Sequence, residues 1–217
     1  MNELLFVAML LSALVFSLIS FRLGKEFLYA YLAMIATFAI FLGPMVIVLF
    51  GFPFFIGEVF YAAIFLSTDM TTERWGETEA RHILWLVILI FVVVSVLMQF
   101  ALLLTPHSSD FVQGHIRAAL AVTPRLIAAG FVMFLIEQHF DIWFFGFLKR
   151  KFQGKHLWLR NNISTMTSQL IDVLGVYPLA LYGVYPNLVQ LMIAAYLFKI
   201  CMAVLDTPFM YLSKRVQ

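Results

Sequence analysis

Thr165, Ser168, Gln169 and Asp172 recur at spacings of three and four, and most positions between and beside them, Met166, Leu170, Ile171, Val173 and Leu174, are apolar, with Thr167 the exception. On a helix that spacing gathers them into one stripe. Hydrogen bonds between helices account for the Ser, Thr and Gln residues. They do not account for Asp172, because an ionised carboxylate away from water needs a cation or several donors. A ligand or ion pathway is the chemistry this stripe suggests. Three further sets of polar residues sit among apolar neighbours: Arg125, Glu137, Gln138 and Asp141; Asp69 and Glu73, four apart; and Lys199 and Asp206, seven apart. Lys199 lies deep in an apolar run, where its partner must be a carboxylate or carbonyls, and Asp172 on a neighbouring helix is the natural candidate. The alternatives are local. Arg125 can snorkel to an interface, and Asp69, Glu73 and Asp141 can be solvated helix ends.

The same inventory argues against covalent or metal chemistry. The five histidines, at 82, 107, 115, 139 and 156, have no zinc-ligand spacing. There is no phosphate-binding glycine loop and no Ser-His-Asp or Cys-His set. The single cysteine, Cys201, excludes an internal disulfide and is expected to be a packed thiol. No cofactor and no metal are expected.

Such residues need a scaffold, and the composition says which. The chain has 217 residues, of which 63% are hydrophobic and 12% charged. Soluble domains carry about 25% charged residues, so the solvent for most of this chain is lipid. An all-α, polytopic transmembrane bundle forming a single domain over 1–217 is expected, with no linker or low-complexity tract. Apolar segments cover 4–21, 27–50, 54–68, 83–104, 118–148, 163–183 and 188–211. The third is too short to span by itself but extends as a helix through Asp69 and Glu73, and the fifth is expected to leave the membrane near Trp143. Segment 4–21 is read as a retained membrane helix, since Asn2 and Glu3 precede it where a signal peptide has basic residues.

The loops test the count. Arg22, Lys25, Arg74, Arg81, Lys149, Arg150, Lys151, Lys155, Arg160, Lys214 and Arg215 fall on one side of seven alternating segments, and Arg117 on the other. Basic residues favour the cytoplasm, so the N-terminus is expected outside and the C-terminus inside. A six-span chain keeps this alternation only if the first segment does not cross. The net charge of +2 is too small to argue for nucleic acid.

Several stretches carry a resemblance. GKHLWLRNNISTMTSQLIDVL at 154–174 and FLSTDMTTERWGETEAR at 65–81 resemble signatures of the queuosine-precursor transporter family. TPRLIAAG, EQHFDIWFF and KICMAVLDTPFMYL are similar to its fifth and last segments, and the likeness runs in register from about Arg22 to Arg215. The resemblance implies a multi-pass plasma (inner) membrane protein that takes up a 7-deazapurine: 7-cyano- or 7-aminomethyl-7-deazaguanine, or queuine. The family is similar in shape to the substrate-binding subunits of vitamin importers, so an ATPase energising module or a homo-oligomer are partner expectations besides membrane lipid.

Under that resemblance Asp172 and Gln169 would meet the base edge, with Ser168, Thr165, Arg125, Gln138 and Lys199 also contributing to substrate binding. Asp69, Glu73, Asp141 and Asp206 would serve gating or ion coupling. The sequence departs from the family pattern at five positions. Ile40 and Met45 lie in a wholly apolar stretch where an Asn and a Lys are expected. Glu58 follows Gly57 in place of Asn, and Gly130 and Glu137 each stand for Ser. These departures bear on the ligand more than on the fold. Two alternatives stay open: a substrate-capture subunit of an ATPase-driven vitamin importer for a related heterocycle, and an intramembrane enzyme or non-transporting partner.

Overall fold

The computed structural model describes residues 1–120, 124–183 and 187–215, with the side chains of 119, 120 and 124–127 outside the description. The elements in order are α1 (Asn2–Leu23), α2 (Lys25–Leu42), β1 (Val46–Leu49), β2 (Phe52–Phe55), α3 (Gly57–Arg74), α4 (Glu77–Leu103), α5 (Gln113–Leu120), α6 (Pro124–Lys151), α7 (Leu157–Leu181) and α8 (Leu188–Lys214). Four helices, α1, α2, α4 and α8, and the Ala128–Lys151 part of α6 are long and apolar enough to cross a membrane.

The bundle is helical as expected, and one expectation is corrected: the second apolar segment does not continue as helix to residue 50. The helix stops at Leu42, and 46–55 forms an antiparallel hairpin pairing Val46 with Phe55 and Leu49 with Phe52. Pro44 cannot donate to a continuing helix, and Val46, Ile47 and Val48 are β-branched. Phe50 (φ 50°) and Gly51 (φ 84°) make the two-residue turn with positive φ that suits a hairpin's twist. The first turn of α1 holds it: the Asn2 side chain donates to Val48 O, and Phe50 N donates to Glu3. Phe54 packs on Phe6 and Phe198, with ring centroids 5.2 and 5.0 Å apart. The short α5 starts at Gln113, ahead of the fifth apolar segment.

Burial runs opposite to the polarity rule of soluble proteins. On α4, Ala80, Ile83, Leu84, Val87, Ile88 and Phe91 form the buried face. Its other side exposes Trp85, Leu89, Val96, Leu97 and Phe100. An apolar exterior of this kind is what lipid accepts. The polar helices go inside. Most of α3 is buried, including Ser67, Thr68, Asp69, Thr71 and Thr72, and it packs against α1, α2, α4, α6 and α8. α7 lies between α6 and α8 and buries Arg160, Asn161, Ser164, Thr165, Ser168 and Asp172. In lipid, polar side chains gain by facing one another, so α3 and α7 take the interior. Small hydroxyls let helices approach, as where Ser17 of α1 meets Ser67 of α3 at 2.7 Å. Cys201, expected to be packed, is exposed on α8.

Candidate functional site

The inward faces of α3, α6, α7 and α8 build a polar column with three levels. Nearest the hairpin is a cavity of about 320 Å³. Its walls are largely aromatic, with Tyr61, Phe91, Phe134 and Tyr177. Tyr61 and Phe91 pack on Phe134 at centroid distances of 5.6 and 5.4 Å. Three carboxyl side chains and one amine line the same space: Glu58 of α3, Glu137 of α6, Asp172 of α7 and Lys199 of α8. Lys199 Nζ lies 2.6 Å from Glu58 Oε2, 3.0 Å from Asp172 Oδ2 and 2.6 Å from Gln169 Oε1. The partner expected for Lys199 is therefore present, together with one that was not.

A space of about 10 Å³, the size of one water, lies between Lys199, Gln169, Thr165 and Asp206 and leads to the second level. There Asp69 of α3, Asp141 of α6 and Asp206 of α8 are all buried. Asp141 Oδ1 accepts from Ser164 (2.8 Å) and Ser168 (2.9 Å). Asp69 Oδ2 meets Thr165 at 3.4 Å, and Asp206 Oδ1 accepts from Asn161 at 2.8 Å. Asp69 and Asp141 face one another, and the second oxygen of each has no donor among the described residues. None of the three carboxylates has an ion pair among those residues, nor does any His, Cys, Asp and Glu group there have the geometry to hold a metal.

The third level is a charge clamp at the C-terminal end of α3. Glu73 accepts both guanidinium nitrogens of the fully buried Arg160 (2.9 and 3.2 Å) and Lys214 Nζ (2.6 Å), with Lys149 Nζ at 3.6 Å. Arg160 also donates to Lys155 O and Gly154 O and lies over the Phe145 ring. At the same end Lys25 pairs with Glu79, and Arg150 with Glu77.

The residues singled out in the sequence are thus divided among levels. Asp172 and Lys199 line the cavity, while Gln169 borders it through Lys199. Thr165 and Ser168 turn to the carboxylates below. Gln138 is buried, is not a cavity-lining residue, and has no hydrogen-bond partner for its amide among the described residues. The Arg125 side chain lies outside the described residues. The solvated-end alternative for Asp69, Glu73 and Asp141 is overturned, since the first and last are fully buried and the Glu73 side chain is 7% exposed.

Glu58 was visible in the sequence only as a departure from a family pattern, and Glu137 both as such a departure and as a polar residue of the fifth apolar segment. A sharper signal existed for Glu58. It precedes Asp69 by eleven residues, three helical turns, so both fall on one face once the helix is known to start at Gly57. Tyr61 and Tyr177 could not be chosen among so many aromatics.

Residues 55–213 match the family described as "Putative vitamin uptake transporter". A Bacillus subtilis (strain 168) protein named "Probable queuosine precursor transporter" is 33% identical over 171 residues, covering 77% of this chain and 75% of its own length. No solved structure matches the chain.

Proposed function

Because the chain belongs to the vitamin uptake transporter family, we propose that it is a plasma-membrane uptake transporter whose substrates are 7-deazaguanine bases. The aromatic-walled cavity with Asp172 at its edge carries this reading. Its volume is at the lower end of the range for small-ligand sites, about 300–1,000 Å³. Tyr61, Phe134 and Tyr177 offer faces for a planar bicycle. A deazaguanine presents adjacent N–H donors on its pyrimidine edge, and a carboxylate accepts two of them.

The levels below then have distinct roles. Asp69, Asp141 and Asp206 serve coupling: a single proton shared between Asp69 and Asp141 would give each lone oxygen a partner. Glu73 and its cations act as the cytoplasmic closure. The reading takes the chain to transport without an ATPase module, which uptake by the purified chain in liposomes tests.

The test is uptake and binding with the purified chain, in liposomes and in detergent. Wild type is expected to bind and transport a 7-deazaguanine. Asp172→Asn keeps the shape but exchanges an acceptor for a donor, and Lys199 retains Glu58, so the variant should fold. A lost bond to a buried partner costs about 1–3 kcal/mol, more when charged, or roughly five- to more than a hundred-fold in affinity. Folded Asp172→Asn binding as tightly as wild type would remove Asp172 from the site. Folded wild type that binds no 7-deazaguanine would end the reading.

We further propose seven spans, α1, α2, α3, α4, α6, α7 and α8, with the N-terminus outside and the clamp facing the cytoplasm. The basic turns contact one another at the clamp end, in line with the bias of Lys and Arg to the inner side. In a Cys201→Ser background, Asn187→Cys should react with an impermeant thiol reagent applied outside, and Lys155→Cys only after permeabilisation. The opposite pattern would invert the orientation.

A further inference from the structure

Within the uptake reading, on which this inference rests, we propose that the cavity selects a heterocycle carrying a cationic amine, with Glu137 as the carboxylate that receives the ammonium group. The charges around the cavity do not balance. Glu58 and Tyr61 come from α3, Glu137 from α6, Asp172 and Tyr177 from α7, and Lys199 from α8, while α2 and α4 contribute no charged group. Three carboxylates therefore face one lysine.

That lysine is fully engaged. An ammonium has three N–H donors, and Lys199 meets three acceptors: Glu58, Asp172 and Gln169. Glu137 is left over. It is 3% exposed, it lines the cavity, and its Oε2 meets no donor among the described residues. Arg125 stands twelve residues earlier on α6, about 18 Å along the helix at 1.5 Å per residue, too far for a direct pair. Lys149 is equally distant in the other direction and sits on Glu73. The acidic groups beyond the cavity, Asp69 and Asp141, supply no cation.

A carboxylate in this position is costly unless a cation or donors arrive. A neutral ligand could bring a donor but would leave the excess charge. An alkylammonium, protonated at neutral pH, brings both in one group and makes the stronger, charge-assisted bond. Among 7-deazaguanines, the 7-aminomethyl base carries such a group and the 7-cyano base does not. The two share the ring that the aromatic walls and Asp172 would hold, so they form a matched pair for the test.

Binding of both bases is measured on purified wild type and on Glu137→Gln, which keeps the shape and removes the charge. Wild type is expected to bind the aminomethyl base at least tenfold more tightly than the cyano base. Glu137→Gln should weaken the aminomethyl base tenfold or more and leave the cyano base unchanged or tighter. Equal binding by wild type, or tighter binding of the cyano base, would overturn the proposal whether or not the variant folds. Equal weakening of both bases by a folded Glu137→Gln would overturn it as well. In each of these cases the uptake reading stands. Binding of neither base to folded wild type removes both.

Discussion

Lys199→Met is expected to destabilise the folded bundle by about 3–5 kcal/mol, the cost of removing one partner from a buried ion pair. The side chain is 3% exposed and holds Glu58, Asp172 and Gln169 together across three helices. Methionine fills a similar volume and donates nothing, so two carboxylates are left facing each other beside an unpaired amide. The loss should shrink when Asp172→Asn is added, because one of the stranded charges is then gone. The coupling expected for groups in contact is roughly 0.5–3 kcal/mol. Thermal unfolding of wild type, both single variants and the double variant in one detergent measures it. Strictly additive losses would mean that the 3.0 Å pair with Asp172 contributes nothing of its own. Glu58→Gln in the same background tests the second arm and should also rescue in part.

A comparable loss, again about 3–5 kcal/mol, is expected for Glu73→Gln. Its carboxylate is the shared acceptor for Arg160, Lys214 and Lys149, so four helices, α3, α6, α7 and α8, meet at one side chain. The cations are not equal. Arg160 is fully buried, and its two parallel bonds to Glu73 make the stronger geometry. The side chains of Lys149 and Lys214 are 32% and 35% exposed, and water screens them. Lys214→Met should therefore cost less than about 1 kcal/mol, whereas Arg160→Met should approach the loss seen for Glu73→Gln. Raising the ionic strength should weaken the Lys214 contribution and leave that of Arg160 nearly unchanged. If the Lys214 and Arg160 variants lose equally, the clamp is a surface network and the burial argument for Arg160 fails.

These two sites bracket the carboxylates Asp69, Asp141 and Asp206, and the contrast explains the division of roles. Lys199 and Glu73 are ionic junctions that hold helices in place. The three aspartates between them accept from Ser164, Ser168, Thr165 and Asn161 but have no ion pair among the described residues. Under the proposed coupling role, these junctions above and below would let protonation change in the middle without dismantling the bundle.

Much of this was legible in the amino-acid sequence, for reasons that act along one segment. Apolar runs of about 20 residues reveal helices because lipid leaves backbone groups no partner but their own helix. The stripe from Thr165 to Asp172 is visible because helical period is local. Lys199 announces a carboxylate partner because a lone ammonium in an apolar run is untenable. What the sequence could not decide is which faces meet. Thr165 and Ser168 share a stripe with Asp172, yet the neighbouring aspartates of α3 and α6 draw them to a different level. Glu58 and Glu137 join the cavity only because α3 and α6 turn those positions toward Lys199 and Asp172. Asp141 looked like a solvated end, and packing of α7 against α6 buries it. Residues 46–50 read as the end of one apolar segment and 54–55 as the start of the next until the pairing of the strands and their contacts with α1 and α8 are in place. In each case the deciding contact joins residues far apart in the chain, where the pattern of one segment carries no information about the other.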